Sequence, residues 1–81
     1  MTVRVLLFGG LRGLFPSDEL LRVLPGASTI EDLLDILEAE SRGQSGFREG
    51  LGCAVNEAWS SPDAPLKDGD VVALLPPVSG G

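Results

Sequence analysis

Leu66-Lys67-Asp68-Gly69-Asp70-Val71-Val72-Ala73-Leu74-Leu75-Pro76-Pro77-Val78-Ser79-Gly80-Gly81 closes the chain and decides its fold. Leu66 to Asp70 has the chemistry of a tight turn, with Gly69 free to sit at positive φ. Val71 to Leu75 is apolar throughout, the pattern of a strand in the middle of a sheet. Pro76 cannot continue a central strand, so the strand stops there, and Pro76-Pro77 stiffens the exit. Gly80 and Gly81 have no Cβ, so they can thread a narrow channel and adopt almost any backbone conformation. The Gly81 carboxylate has no side chain beside it to hinder attack at its carbonyl. The expectation is one domain over 1–81, with 76–81 a projecting tail. The plainer alternative is a frayed end.

Working outward, the rest of the chain must supply a sheet around Val71–Leu75. Val3-Arg4-Val5-Leu6-Leu7-Phe8 is a second nearly continuous apolar run, closed by Gly9-Gly10, and also suits a central strand. Leu11 to Phe15 predicts a single helical turn ended by Pro16. Ser17-Asp18-Glu19 is turn chemistry, and Glu19 to Leu24 reads as a strand stopped by Pro25-Gly26. Ser28-Thr29-Ile30-Glu31 predicts a helix start with Ser28 and Glu31 as a capping box. Ile30, Leu33, Leu34 and Leu37 then form one apolar stripe, and the helix spans about 29–42, with Gly43 at its stop. Its acidic residues, Glu31, Asp35, Glu38 and Glu40, are expected to form a solvated face. The Gly-rich stretch 43–50 lacks the Gly-Lys-Ser/Thr of a phosphate loop, and Phe47 is expected to anchor it on the core. Cys53-Ala54-Val55 and Ala58-Trp59-Ser60 read as two short strands around an Asn56-Glu57 turn. Trp59 is expected to cover the core edge.

The element order is β, β, helix, β, β, β, with the two most apolar strands at opposite ends of the sequence. Such strands lie side by side in one sheet, and the helix packs its stripe across one face. This is an α+β arrangement, a β-grasp with a mixed sheet of about five strands.

Composition narrows the function. The chain has 81 residues, enough for one small core, and 43% hydrophobic residues, too many for a disordered segment. Six basic residues face twelve acidic ones, for a net charge of −6. That balance argues against nucleic acid, whose phosphates need a basic footprint. No apolar run approaches the length of a membrane span, and the start lacks a secretory leader, so the expected location is cytoplasmic. There is one cysteine, Cys53, and no histidine. A disulfide within the chain, a zinc site and an iron–sulfur cluster are all excluded, and Cys53 reads as a buried structural thiol. No nucleophile–base–orienter set is present, so no metal or catalytic side chain is expected.

Five features carry a resemblance. They are Val3 to Phe8 followed by Leu11-Arg12, the helix start Thr29 to Leu33, Ala54-Val55-Asn56, the Leu66 to Ala73 turn and strand, and Pro76-Pro77-Val78-Ser79-Gly80-Gly81 at the end of the chain. The Leu-x-Asp-Gly-Asp turn is shared by many ubiquitin-like proteins; the Pro-Pro-Val-Ser-Gly-Gly ending is more specific. Together they resemble the small, sulfur-carrier subunit family of molybdopterin synthase (MoaD family), ubiquitin-like β-grasp proteins, over nearly the whole chain.

The resemblance implies a carrier cycle. A ubiquitin-activating-like adenylyltransferase uses ATP to adenylate Gly81, and sulfur displaces AMP to leave a thiocarboxylate. The tail then enters a pocket of the large catalytic subunit and gives its sulfur to cyclic pyranopterin monophosphate, forming the dithiolene of molybdopterin. Two carriers and two large subunits form a heterotetramer. The carrier binds no cofactor and is not catalytic alone; it is the sulfur-donating part of a sulfurtransferase. Gly81 and Gly80 are the reactive tip. Phe8, Leu74, Leu75, Pro76, Pro77, Val78 and Ser79 are the candidate partner-binding residues. The rival readings are a sulfur carrier for thiamin synthesis or tRNA thiolation, a ubiquitin-like modifier joined to lysines through Gly81, and an interaction module with an inert tail.

Overall fold

The computed structural model describes residues 1–41 and 48–77. The strands are β1 (Thr2–Leu7), β2 (Glu19–Val23), β3 (Gly52–Val55), β4 (Ala58–Ser60) and β5 (Val71–Leu75), and the helix α1 is Ile30–Glu40. A 3-10 turn follows β1 over Gly9–Leu14, starting two residues before and ending one residue before the helical turn that the sequence predicts over Leu11–Phe15. The sheet order is β2-β1-β5-β3-β4. β5 is therefore the middle strand, parallel to β1 and antiparallel to β3. This is the mixed-sheet β-grasp that the apolar runs at the two chain ends predict.

Pleating divides the sheet into two faces. Val3, Val5 and Leu7 of β1, Leu20 of β2, Cys53 of β3 and Val72 and Leu74 of β5 are buried beneath α1. In the register, Val5 lies opposite Val72 and Leu7 opposite Leu74, so this core forms contiguous cross-strand rows. The stripe of Ile30, Leu33, Leu34 and Leu37 closes over it, each residue at most 4% exposed. The opposite face carries Leu21, Arg4, Leu6, Val71, Ala73, Ala54 and Trp59 with no element packed on it among the described residues.

Three expectations are corrected in detail. The helix cap sits one residue later than Ser28–Glu31: Thr29 Oγ1 accepts from the Asp32 backbone N–H at 3.3 Å, and an Asp32 carboxylate oxygen accepts from the Thr29 N–H at 2.8 Å. Ser28 is buried and donates instead to the Pro25 carbonyl at 2.7 Å, tying down the preceding turn. Trp59 does not cover the core edge. It is 74% exposed on the open face, because its register opposite Ala54 points it away from α1. The acidic helix face is not only solvated. Arg48 donates to Asp35 at 2.7 Å and lies 3.6 Å from Glu38 and 3.9 Å from Glu31. Arg22 of β2 pairs with Glu40 at the far end of the helix. Gly43 and Phe47 lie outside the described residues, as do the roles expected of them.

Candidate functional site

The tail departs from the middle of the sheet, and both neighbouring strands contribute to its exit. β1 runs parallel to β5, so the segment after Leu7 emerges at the same sheet edge as the segment after Leu75. β3 runs antiparallel, so its start lies beside the end of β5, with Gly52 opposite Leu75. Phe8-Gly9 on one side and Gly50-Leu51 on the other therefore flank Pro76-Pro77.

Both flanking glycines are required by close approach. Gly9 has φ of 58°, and a Cβ there would stand 2.8 Å from Pro76 Cγ. Gly50 has φ of 68°, and a Cβ there would stand 3.2 Å from Pro77 Cγ and 3.3 Å from Pro77 Cβ. Each proline ring occupies the space that a side chain would fill. Gly9 is thus part of the exit, whereas the sequence shows it only as a strand stop. Gly50 carried no signal, because the pairing of a bare glycine with a proline 27 positions on is a tertiary relation.

The candidate partner-binding residues separate. Phe8 is 44% exposed beside the exit, Leu75 and Pro76 are half-buried, and Pro77 is exposed, so these four form one apolar surface at the end of β5. Leu74 is corrected: it is fully buried, because alternation along β5 turns it toward Leu7 and Cys53 under the helix. It is a core residue and leaves the partner-binding set. Val78, Ser79, Gly80 and Gly81 lie outside the described residues. A shallow depression of about 540 Å³ adjoins the exit on the open face, lined by Leu6, Phe8, Asn56, Glu57, Val71 and Ala73. Neither Leu6 nor Ala73 was singled out in the sequence; strand alternation places both beside Phe8.

The base of β5 is anchored by polar contacts. Asp70 is buried, and its carboxylate accepts from Asn56 Nδ2 at 2.9 Å and from the Lys67 backbone N–H at 2.8 Å. Asn56 Oδ1 accepts from the Val71 backbone N–H at 3.0 Å. Asp68 accepts from the Thr2 backbone N–H at 2.7 Å, which joins the same turn to the start of β1. The Leu66–Asp70 turn thus sets the register of the two central strands at the end opposite the exit.

The described side chains offer little chemistry of their own. Cys53 is buried, and burial pushes its thiol pKa up, away from the thiolate that a nucleophile needs. Among the described residues no group of three or more Cys, Asp or Glu side chains is placed to hold a metal. No helix of the described residues is long and apolar enough to cross a membrane. The arrangement fixes Pro76 and Pro77 against Gly9 and Gly50 at the end of the middle strand.

Similar chains share this plan. The sequence profile of the ThiS family matches residues 5–81. The molybdopterin synthase sulfur carrier subunit of Escherichia coli is 40% identical over 81 residues, spanning 98% of this chain and 99% of that one. Among solved structures, a putative molybdopterin converting factor subunit 1 from Pyrococcus furiosus superposes with a TM-score of 0.81 at 33% identity, covering 95% of this chain and 98% of the other. A complex of subunits 1 and 2 of molybdopterin-converting factor from Helicobacter pylori contains a chain that matches with a TM-score of 0.69 at 32% identity over all of both chains. With its β-grasp sheet, its central last strand and a profile match over residues 5–81, the chain belongs to the ThiS family, as a relative of the molybdopterin synthase sulfur-carrier subunits.

Proposed function

We propose that this protein is the sulfur-carrier subunit of a molybdopterin synthase and that Gly81 is the carrier group. The observation that carries the reading is the family match running through residue 81, on a fold whose last strand, Val71–Leu75, is the middle of the sheet. A carboxylate is a poor electrophile, so the first step is activation. A Gly81 carboxylate oxygen attacks the α-phosphorus of ATP on an adenylyltransferase, pyrophosphate leaves, and an acyl-adenylate forms. A sulfide-equivalent nucleophile adds to the carbonyl carbon and AMP departs, leaving a thiocarboxylate. That sulfur is a soft nucleophile needing no local base, which agrees with a chain that has no histidine. It attacks an oxygen-bearing carbon of the pterin precursor, cyclic pyranopterin monophosphate, and a C–S bond forms as the C–O bond at that carbon breaks and its oxygen departs as water or as the phosphate oxygen. Water at the Gly81 carbonyl then frees the carrier as its carboxylate and leaves the sulfur on the substrate.

The partner is a large catalytic subunit, joined in a heterotetramer of two carriers and two large subunits in the cytoplasm. The Helicobacter complex, in which subunits 1 and 2 are held together, supports such a pairing for a chain 32% identical to this one. Phe8, Leu75, Pro76 and Pro77 are the apolar contact at the exit, with Val78 and Ser79 continuing toward the tip.

The test is intact mass after incubation with the adenylyltransferase, ATP and a sulfur donor. One sulfur-for-oxygen exchange at the C-terminus is expected, lost when Gly80-Gly81 is deleted. An unchanged carboxylate overturns the reading. A ladder of lysine conjugates in cells would point to a modifier. Loading without molybdopterin synthesis by the large subunit would point to thiamin or tRNA thiolation.

A further inference from the structure

We infer that Arg48 and Gly50 are positioning residues: the acidic face of α1 holds the turn at 48–50 through Arg48, and that turn seats Pro77 and so aims the tail. The inference rests on the reading that Gly81 is the carrier tip. It adds residues whose effect on the tip is exerted through Pro77.

The chain of contacts is short. Asp35 accepts from Arg48 Nη1 at 2.7 Å, and Glu38 and Glu31 lie at 3.6 and 3.9 Å from the same guanidinium. These four residues bring one half-buried cation against three carboxylates spaced along one face of α1. The Arg48 carbonyl accepts from the Leu51 N–H at 3.2 Å, which closes the turn that carries Gly50. Gly50 stands at positive φ with its bare Cα against Pro77. Opposite it, Gly9 seats Pro76 from the β1 side. Each wall is a turn next to a strand: Gly9 opens the 3-10 turn after β1, and Gly50 lies two residues before β3. A side-chain network ties the Gly50 turn to the helix.

That tie gives Arg48 its role. A proline ring has fixed φ, so the direction in which the chain leaves Pro77 follows from where the ring sits. A shift of the Pro77 ring therefore changes the point and direction from which the chain leaves the fold. In a reaction where the sulfur must meet a bound carbon, a misplacement on the order of 1 Å can lower the rate by up to about 10²-fold. The carboxylates facing Arg48 are open to solvent, and ion pairs screened in this way add little to global stability, so losing Arg48 is expected to affect aim rather than folding.

The experiment uses full-length protein with a chemically installed C-terminal thiocarboxylate, which removes the adenylyltransferase from the assay. Single-turnover sulfur transfer is measured at saturating large subunit for the native chain, Arg48→Ala, Arg48→Lys and Gly50→Ala. Expected are a transfer rate about tenfold lower for Arg48→Ala, unchanged affinity for the large subunit, unchanged Tm, and recovery of most of the rate in Arg48→Lys. A second measurement follows nuclear Overhauser contacts between Gly50 Hα and the Pro77 ring in the free protein. They are expected to weaken in Arg48→Ala and persist in Arg48→Lys. Gly50→Ala is expected to lower the rate similarly; should it unfold, the Arg48 pair decides. Gly50–Pro77 contacts that are intact in Arg48→Ala overturn the inference, as does an unchanged rate or a rate loss that follows Tm. If the native thiocarboxylate transfers no sulfur, the carrier reading falls, while the Gly50–Pro77 contacts still decide whether Arg48 holds the turn.

Discussion

At the scale of single residues, this protein uses glycine and aspartate where a larger domain would use apolar mass. Gly9 and Gly50 admit the two proline rings, and Asp70 gathers the Asn56 amide and the Lys67 N–H below β5. Asp18 is a surface counterpart. Arg12 Nη2 donates to its carboxylate at 2.5 Å, and that hydrogen bond, reinforced by the opposite charge, holds the Asp18 pKa below the usual carboxylate range. The sign follows directly. A depressed folded pKa means the pair stabilises the fold above the ordinary aspartate pKa and ceases to do so as pH falls through the lowered value. NMR titration of the Asp18 carboxyl carbon is expected to give a midpoint below that of an unpaired aspartate. In Arg12→Ala it should return to the ordinary value. A native midpoint already at the ordinary value would contradict the pairing.

At the scale of elements, α1 illustrates what local pattern can and cannot locate. The apolar stripe Ile30, Leu33, Leu34 and Leu37 was legible because a helical repeat leaves one solution for which face is buried. The cap was harder: Ser28-Thr29-Ile30-Glu31-Asp32 contains two overlapping boxes one residue apart. The choice between them came from outside the helix. The Leu66 N–H donates to the Ser28 carbonyl and the Ile30 N–H to the Ala64 carbonyl, at 2.9 and 3.1 Å, and these bonds hold Ser28 and Thr29 extended along the 64–66 segment. Replacing Asp32 by Ala is expected to lower stability by about 1 kcal/mol in chemical denaturation, as loss of a helix cap does. Glu31→Ala should be near neutral. The opposite ranking would restore the Ser28 box.

At the scale of the whole molecule, the parallel pairing of β1 with β5 governs both stability and site. It places Leu74 in the core and Leu75 on the open face, so adjacent leucines have opposite roles. Leu74→Ala is expected to lose about 2–5 kcal/mol of stability, the range for a fully buried leucine. Leu75→Asp should keep a native-like circular dichroism spectrum and weaken binding to the large subunit by about 2 kcal/mol in calorimetry. Unchanged affinity in Leu75→Asp would remove the end of β5 from the docking surface.

Local pattern was enough to read the β-grasp order, the helix stripe and the central place of Val71–Leu75. Each of these rests on local periodicity or on the chemistry of single residues, which needs no partner to be read. The tertiary structure alone decided which leucine faces outward, that Trp59 stands on the open face, and that Gly9 and Gly50 seat the prolines. It also decided that Arg48 ties a turn to the helix. Those relations are not local: strand register sets the facing of Leu75 and Trp59, since shifting a strand by one residue would turn every side chain to the other face, and the packing of turns beside the strands brings Gly9, Gly50 and Arg48 to their partners.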